Sequence, residues 1–160
     1  MSRYGQLAIA ESNIKSITDR IGDLLQVVSL SLGDFFSGTG VVVVEDDYDI
    51  PHQVMVDTPV QWFHDSTLKT LKSICTVYSP YHDGFHLLDA ELNPIAFCTF
   101  LAPKIVGDAT FLGALKKNDG SRAYTALFSS AMPGVICTAT ASRGEQVRLF
   151  VNGAEKTWPL

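Results

Sequence analysis

Four consecutive valines, Val41 to Val44, restrict the fold of this chain more than any other feature of its sequence. β-Branched side chains are stiff at χ1 and pack well on a pleated surface, so such a run favours a strand over a helix. Gly40 precedes the run and the acidic Glu45 follows it. The run therefore predicts one short buried strand, around which the rest of the chain has to be arranged.

The segments around this strand alternate between helical and extended patterns. Apolar residues spaced by three and four predict helices, and short apolar or alternating runs bounded by turn residues predict strands. The predicted helices are 6–36, 62–74, 111–117 and 121–130, and the predicted strands or extended pieces are 41–44, 54–59, 85–90, 94–101, 135–141 and 146–151. Because helices interleave with short strands, the sequence predicts an α/β fold: a single domain with a mixed central β-sheet flanked by helices.

The first predicted helix is long and amphipathic. Its apolar residues form one stripe, which consists of Leu7, Ala10, Ile14, Ile17, Ile21, Leu24, Val28 and Phe35. The stripe would pack on the sheet of its own domain or, because heptad spacing holds over three to four repeats, against a second copy or a partner protein. Gly33 and the run 37–40 end the helix. We therefore expect an N-terminal amphipathic helix over residues 1–39 and an α/β domain over residues 40–160.

The charge of the chain excludes one class of partner. Its net charge is −5, and no basic cluster is longer than Lys116-Lys117. A protein that binds nucleic acid regardless of sequence needs basic surface for the phosphates. We expect no nucleic-acid partner, whereas a small nucleotide stays compatible because one or two arginines and a metal ion can bind a triphosphate.

Cysteine usage and hydropathy predict a cytoplasmic protein. Cys75, Cys98 and Cys137 lie far apart in apolar runs, which predicts buried free thiols and a reducing compartment. Residues 1–13 lack the apolar core of a signal peptide. The most apolar stretch, 24–32, is interrupted by polar residues and is too short to span a bilayer, so we expect no membrane partner.

Two short segments carry the candidate chemistry. Residues 81–85, Tyr-His-Asp-Gly-Phe, place an Asp-Gly pair before an apolar strand; on its own, such a pair usually forms only a turn. Residues 119–124, Asp-Gly-Ser-Arg-Ala-Tyr, open a helix. The backbone N–H groups at its start, the Ser121 hydroxyl and the Arg122 guanidinium can all donate to a phosphate. The sequence contains no zinc pattern, P-loop, GxSxG or GxGxxG motif.

Together, these segments and their order resemble the diadenylate cyclase domain. Residues 79–85, Ser-Pro-Tyr-His-Asp-Gly-Phe, are similar to a Thr-Pro-Leu-His-Asp-Gly-Ala segment of that family. Residues 100–103 stand where the family has a Leu-Pro-Leu-like edge, and residues 120–124 stand where it has Gly-Thr-Arg-His-Arg. The rest of the chain keeps the family's order: a strand, a turn, a last strand and Asn152-Gly153. The resemblance covers residues 40–160.

The resemblance implies a site of the kind that diadenylate cyclases use to join two ATP molecules into cyclic di-AMP. It gives Asp83 the catalytic position at the attacking hydroxyl, and it gives His82 and Asp83 the metal position, for Mg²⁺ or Mn²⁺. The implied ligands are an adenine nucleotide or a cyclic dinucleotide. The implied nucleotide-binding residues are Asp83, Gly84, Phe85, Leu101, Gly120, Ser121, Arg122 and Tyr124.

Several positions depart from the family's pattern. Ala123 and Tyr124 replace the His and the second Arg of the family's triplet, so a fixed cation is lost. The family's Ser-Glu-Glu turn falls on residues 140–143, which contain no carboxylate, and Glu145 is the nearest substitute. Phe85 replaces a small residue beside the catalytic carboxylate. Losing a single transition-state donor costs about 10²–10³-fold in rate.

Three functions follow as alternatives. The first is a catalytically weak or inactive diadenylate-cyclase-like domain that binds a nucleotide as a sensor or regulatory module. The second is an active, divergent diadenylate cyclase in which Glu145 or His82 completes the metal site. The third is a structural or interaction module without a nucleotide, in which Asp83-Gly84 is only a turn and Arg122 only a surface charge.

Overall fold

A seven-stranded sheet forms the centre of the computed structural model, which describes residues 3–46, 48–105, 115 and 119–159. The helices are α1 (Arg3–Leu32), α2 (Thr67–Ile74) and α3 (Ser121–Ser130), with 3₁₀ turns at Gly33–Phe35 and Val60–Phe63. The strands are β1 (Thr39–Val44), β2 (Gln53–Val54), β3 (Phe85–Leu88), β4 (Pro94–Phe100), β5 (Val135–Ala141), β6 (Arg148–Val151) and β7 (Ala154–Lys156).

The valine run lies in the middle of this sheet. The strand order is β2-β4-β3-β1-β5-β6-β7. β1 pairs with β3 in parallel and with β5 antiparallel, and every other pair is antiparallel, so the sheet is mixed, as predicted. All six residues of β1 are buried.

Helices cover both faces of the sheet. Val41 and Val43 face a core cluster that includes residues of α1 and α2, and Val42 and Val44 face a second cluster that includes residues of α3. Successive side chains of a strand point to opposite faces, so a strand that is apolar at every position needs this double cover. The predicted fold class, a mixed α/β domain flanked by helices, is confirmed.

The element bounds differ from the prediction where a local signal was overlooked. The helix predicted over 62–74 is wrong in its first half: a 3₁₀ turn ends at Phe63, and α2 begins after Ser66, whose hydroxyl accepts a hydrogen bond from the N–H of Lys69. β7 was not predicted; it follows the tight turn at Asn152-Gly153, where both residues have positive φ. The helix predicted over 111–117 lies outside the described residues, apart from Leu115.

Helix α1 packs on the sheet of its own domain. Ile17, Ile21 and Val28 of the predicted stripe are buried in the core beside β5, together with Leu25. Phe35 was predicted on the buried stripe, but it belongs to the 3₁₀ turn after Gly33 and is half exposed. Among the helices of the described residues, none is long and apolar enough to cross a membrane.

The three cysteines are buried free thiols, as predicted. Burial raises the pKa of Cys75 and Cys137 to about 12 and that of Cys98 to about 11. The thiols are therefore protonated at neutral pH and act as small apolar side chains in the core.

Gly22 lets the C-terminal segment pack against α1. A Cβ atom added at Gly22 would overlap the indole ring of Trp158 and lie 2.8 Å from its Cδ2 atom. Trp158 is buried and belongs to the same core cluster as the α1 residues. The absence of a side chain at Gly22 is thus what allows the chain after β7 to contact α1 this closely.

We predict that Gly22→Ala destabilises the protein by about 1–3 kcal/mol, because overpacking outweighs the gain in helix propensity. In a Trp158→Ala background the same substitution should stabilise by about 0.5–1 kcal/mol, since only the propensity gain remains. Urea denaturation of the four proteins in this cycle measures both values. A stabilising effect of Gly22→Ala in the presence of Trp158 would contradict the packing described.

Candidate functional site

A cavity of about 610 Å³ opens at one edge of the sheet. The starts of β1, β3 and β6 meet the ends of β4 and β5 at this edge, because β1, β3 and β6 run in the opposite direction to β4 and β5. The first turn of α3 closes one side. The lining residues are Met55, Asp83, Gly84, Phe85, Thr99, Phe100, Leu101, Asp119, Gly120, Ser121, Arg122, Ala123, Thr125, Thr140, Ser142, Glu145 and Arg148.

Asp83 stands at this cavity because of the backbone conformation of Gly84. Gly84 has a φ of +90°, and an added Cβ would lie 2.7 Å from the carbonyl oxygen of Thr99. Only glycine adopts this conformation in this space without strain. The N–H of Gly84 donates to Oδ1 of Asp83 at 3.0 Å, which fixes the exposed carboxylate just before β3.

The start of α3 offers free backbone donors to the cavity. Gly120 is the N-cap residue, and its carbonyl accepts hydrogen bonds from the N–H groups of Ala123 and Tyr124. The first N–H groups of a helix have no acceptor within the helix, and the helix dipole makes its N-terminus attractive to anions. The lining residues Ser121 and Arg122 therefore stand where an anionic group would be stabilised.

The guanidinium group of Arg122 covers Gly38 at the start of β1. A Cβ at Gly38 would overlap this group, so the glycine makes room for it. Within the described ranges, Arg122 has no ion pair and no hydrogen bond from its side chain. Its charge is therefore uncompensated by a direct partner in that part of the chain.

Arg148 differs from Arg122 because two carboxylates hold it. Its Nη1 and Nη2 atoms donate to Asp119 at 2.9 and 3.3 Å, and its Nε and Nη2 atoms donate to Glu155 at 2.8 Å each. The hydrogen bonds to Glu155 and to Asp119 raise the pKa of Arg148 above its ordinary value. We call this arrangement of Arg148, Asp119 and Glu155 the arginine clasp; it ties β6 and β7 to the loop that leads into α3.

The turn between β5 and β6 places the carboxylate of Glu145 at the cavity and the guanidinium group of Arg143 against Asp34. The N–H of Glu145 donates to the carbonyl of Ser142, and both residues line the cavity. Arg143 instead donates to the carbonyl of Asp34 at 3.1 Å, and it is not a lining residue. In this arrangement of the turn, Arg143 therefore stays away from the cavity, while Glu145 lines it.

The predicted metal residues lie near each other in sequence but differ in surroundings. His82 Nδ1–H donates to the carbonyl of Ser79, which leaves Nε2 with the free lone pair in the neutral ring, and His82 is not a lining residue. Asp83 lines the cavity. Over the described residues, no group of three or more His, Cys, Asp or Glu side chains could hold a metal ion. The Mg²⁺ or Mn²⁺ site stays a prediction.

The structure brings most of the predicted nucleotide-binding residues to one cavity. Asp83, Gly84, Phe85, Leu101, Gly120, Ser121 and Arg122 all line it. Tyr124 does not line it; the centroid of its ring lies 6.5 Å from that of Phe128. Phe85 is largely buried against Gly40.

Sequence reasoning missed several lining residues. Met55, Thr99 and Phe100 come from strand ends whose place beside the cavity depends on pairing between β2, β3 and β4. Arg148 was missed as well, although an arginine in an otherwise apolar last strand is a signal that could have found it.

Comparison with known proteins finds similar folds at low sequence identity. No protein family model and no curated protein sequence matches the chain. The hypothetical membrane spanning protein from Bacillus cereus superposes with a TM-score of 0.62 at 18% identity, over 88% of this chain and 62% of that chain, so this chain spans less than two thirds of it. A double mutant of DacA from Staphylococcus aureus superposes with a TM-score of 0.54 at 15% identity, over 91% and 85% of the two chains.

These likenesses show the fold. DacA is a diadenylate cyclase, and the chain therefore has a diadenylate-cyclase-like fold, as its sequence predicted.

One buried histidine near the site predicts a pH-dependent stability. His86 on β3 is fully buried; its Nδ1 accepts a hydrogen bond from the N–H of Cys98 at 3.2 Å, and its Nε2 has no hydrogen-bond partner among the described residues. Burial, with a smaller contribution from the charge of Arg122, lowers the pKa of His86 from 6.5 to about 4. The ring is therefore neutral in the folded protein at neutral pH.

We predict that the free energy of unfolding falls by up to about 3 kcal/mol as the pH drops from about 6.5 to about 4, because the unfolded chain then binds a proton that folded His86 does not. His86→Gln should have a flatter profile over this range. Urea denaturation from pH 4.5 to 7.5 measures both. Parallel profiles for the two proteins would show that His86 does not carry this dependence.

Proposed function

We propose that this protein is a diadenylate-cyclase-like domain that binds an adenine nucleotide or cyclic dinucleotide as a sensor or regulatory module, with weak catalysis or none. The observation that carries the proposal is the meeting of Asp83, Arg122 and the N-terminus of α3 at a single cavity. These groups come from segments almost 40 residues apart, so their convergence is a property of the fold.

The chemistry of the cavity suits a nucleotide. Arg122 and the free N–H groups at the start of α3 can donate to a phosphate, and Asp83 can accept from a ribose hydroxyl. Met55 and Phe100 expose apolar surface at the same cavity. An apolar and aromatic surface of this kind can stack a base.

The second candidate is an active, divergent diadenylate cyclase. The position of Glu145 favours it, because this carboxylate lines the same cavity as Asp83 and could complete a site for Mg²⁺ or Mn²⁺. When bound, such a metal would polarise a phosphoryl oxygen. Asp83 would then hold the attacking hydroxyl, and Arg122 would bind the phosphate.

We further propose a cytoplasmic protein that forms a homo-oligomer or binds a partner protein through α1. The free thiols support the location, since they suit a reducing compartment. The outer side of α1 supports the contact, since Val27 and Leu30 are exposed there. Sedimentation over a range of protein concentrations tests for self-association, and detection of disulfides in the native protein would argue against the location.

We predict that Arg122→Gln weakens binding of cyclic di-AMP and ATP by about 10–100-fold, because a charged hydrogen bond to the phosphate is lost. Arg143→Gln is the matched control: it removes the same charge from an arginine that contacts Asp34, and affinity should stay within about twofold. Isothermal titration calorimetry measures both. Equal losses in the two variants would count against the site, and no binding by the unchanged protein would support a module without a nucleotide.

The catalytic alternative makes a separate prediction. If the sensor proposal holds, incubation with ATP and Mn²⁺ or Mg²⁺ yields little or no cyclic di-AMP by liquid chromatography. Robust product formation that disappears in Asp83→Asn would instead establish the cyclase, since this substitution removes the carboxylate that would activate the hydroxyl.

A further inference from the structure

The cavity contains two arginines, and only one of them is free to bind a phosphate. Arg148 uses its Nε, Nη1 and Nη2 atoms in four hydrogen bonds to Asp119 and Glu155. Its guanidinium group also lies over the ring of Phe150, 5.4 Å from the centroid. A ligand phosphate could bind Arg148 only by competing with the two carboxylates that already accept its hydrogen bonds.

The remaining charges at the cavity are unfavourable to a highly charged anion. Asp83, Asp119 and Glu145 line it together with Arg122 and Arg148, so three carboxylates face two guanidinium groups among the described lining residues. Glu155 adds a further negative charge behind Arg148. The single terminal phosphate of AMP carries about −1.5 to −2 charges at pH 7, and each further phosphate of ADP and ATP adds about one more negative charge, whereas a phosphodiester carries one per phosphate.

We propose that the arginine clasp determines specificity: by holding Arg148 away from the ligand, it makes the cavity prefer adenine nucleotides of low phosphate charge, a monophosphate or a phosphodiester, over the triphosphate. This inference rests on the proposed nucleotide-binding function. Asp119 and Glu155 act through Arg148 and are positioning residues, while Arg122 supplies the cation that meets the phosphate.

A charge series on one nucleoside tests the proposal. AMP, ADP and ATP are titrated calorimetrically into the full chain, with EDTA present so that no metal neutralises the phosphates, and cyclic di-AMP is the phosphodiester probe. In the unchanged protein, affinity should decrease from AMP to ATP, by about tenfold or more over the series. Cyclic di-AMP should bind more tightly than ATP.

Releasing Arg148 should weaken or abolish this preference for AMP over ATP. In Asp119→Asn/Glu155→Gln, the freed guanidinium can reach the terminal phosphates, and ATP should bind about tenfold more tightly than in the unchanged protein, with a smaller gain for AMP. Adding Arg148→Gln should cancel the gain. Glu145→Gln is the matched control for the loss of one lining carboxylate, because Glu145 holds no arginine within the described residues, and its gain for ATP should stay within about threefold.

The outcomes separate this inference from the proposed function. If the unchanged protein binds ATP more tightly than AMP and ADP, the inference is overturned, but the proposed nucleotide-binding function is not. The gain in ATP affinity could also persist with Arg148→Gln, or Glu145→Gln could reproduce it in full. Either result would show that the loss of negative charge alone improves binding, and it would also overturn the inference. Failure of every nucleotide to bind the unchanged and the released proteins, with thermal unfolding confirming that they are folded, overturns both.

Discussion

The pairing of β1 with both of its neighbours is the constraint on which the rest of the structure depends. β1 runs parallel to β3 and antiparallel to β5, which brings the start of β1, the start of β3 and the end of β5 to one edge of the sheet. Asp83 precedes β3 at that edge, and Gly38 precedes β1 beneath Arg122. The valine side chains stabilise this pairing from both faces by burial between the helices. The position of the candidate site at the sheet edge therefore follows from the packing of β1 in the core.

Local signals made much of the fold predictable. The bounds of α3 and β5 agree with the prediction, because Gly120 begins the helix and turn residues separate the two elements. Prediction was wrong where one local feature competed with another: Ser66 caps a new helix inside an apolar run, and Phe35 falls in a 3₁₀ turn that rotates it away from the stripe. In both cases the spacing of the apolar residues alone did not define where a helix starts or ends.

The site was predictable only in part, for a different reason. The resemblance of residues 79–85 and 120–124 to diadenylate cyclases assigned Asp83 and Arg122 to one binding site. Both residues line the cavity. The arginine clasp could not be found in this way, because it depends on the register between β6 and β7 and on the placement of Asp119 beside Arg148. Such long-range contacts have no periodic signal in the sequence. In our proposal, they nevertheless determine which cations of the cavity are available to a ligand.

A nucleotide-bound structure tests the central claim most directly, namely that this cavity is a nucleotide site organised by Arg122 and Asp83. Crystals of the protein are soaked with cyclic di-AMP and, separately, with AMP. We predict one bound nucleotide at the sheet edge, with a phosphate oxygen at a hydrogen-bond distance of roughly 2.7–3.2 Å from Arg122 and with Asp83 in the same cavity. A nucleotide bound elsewhere, or an empty cavity at saturating concentration of both ligands, would contradict it.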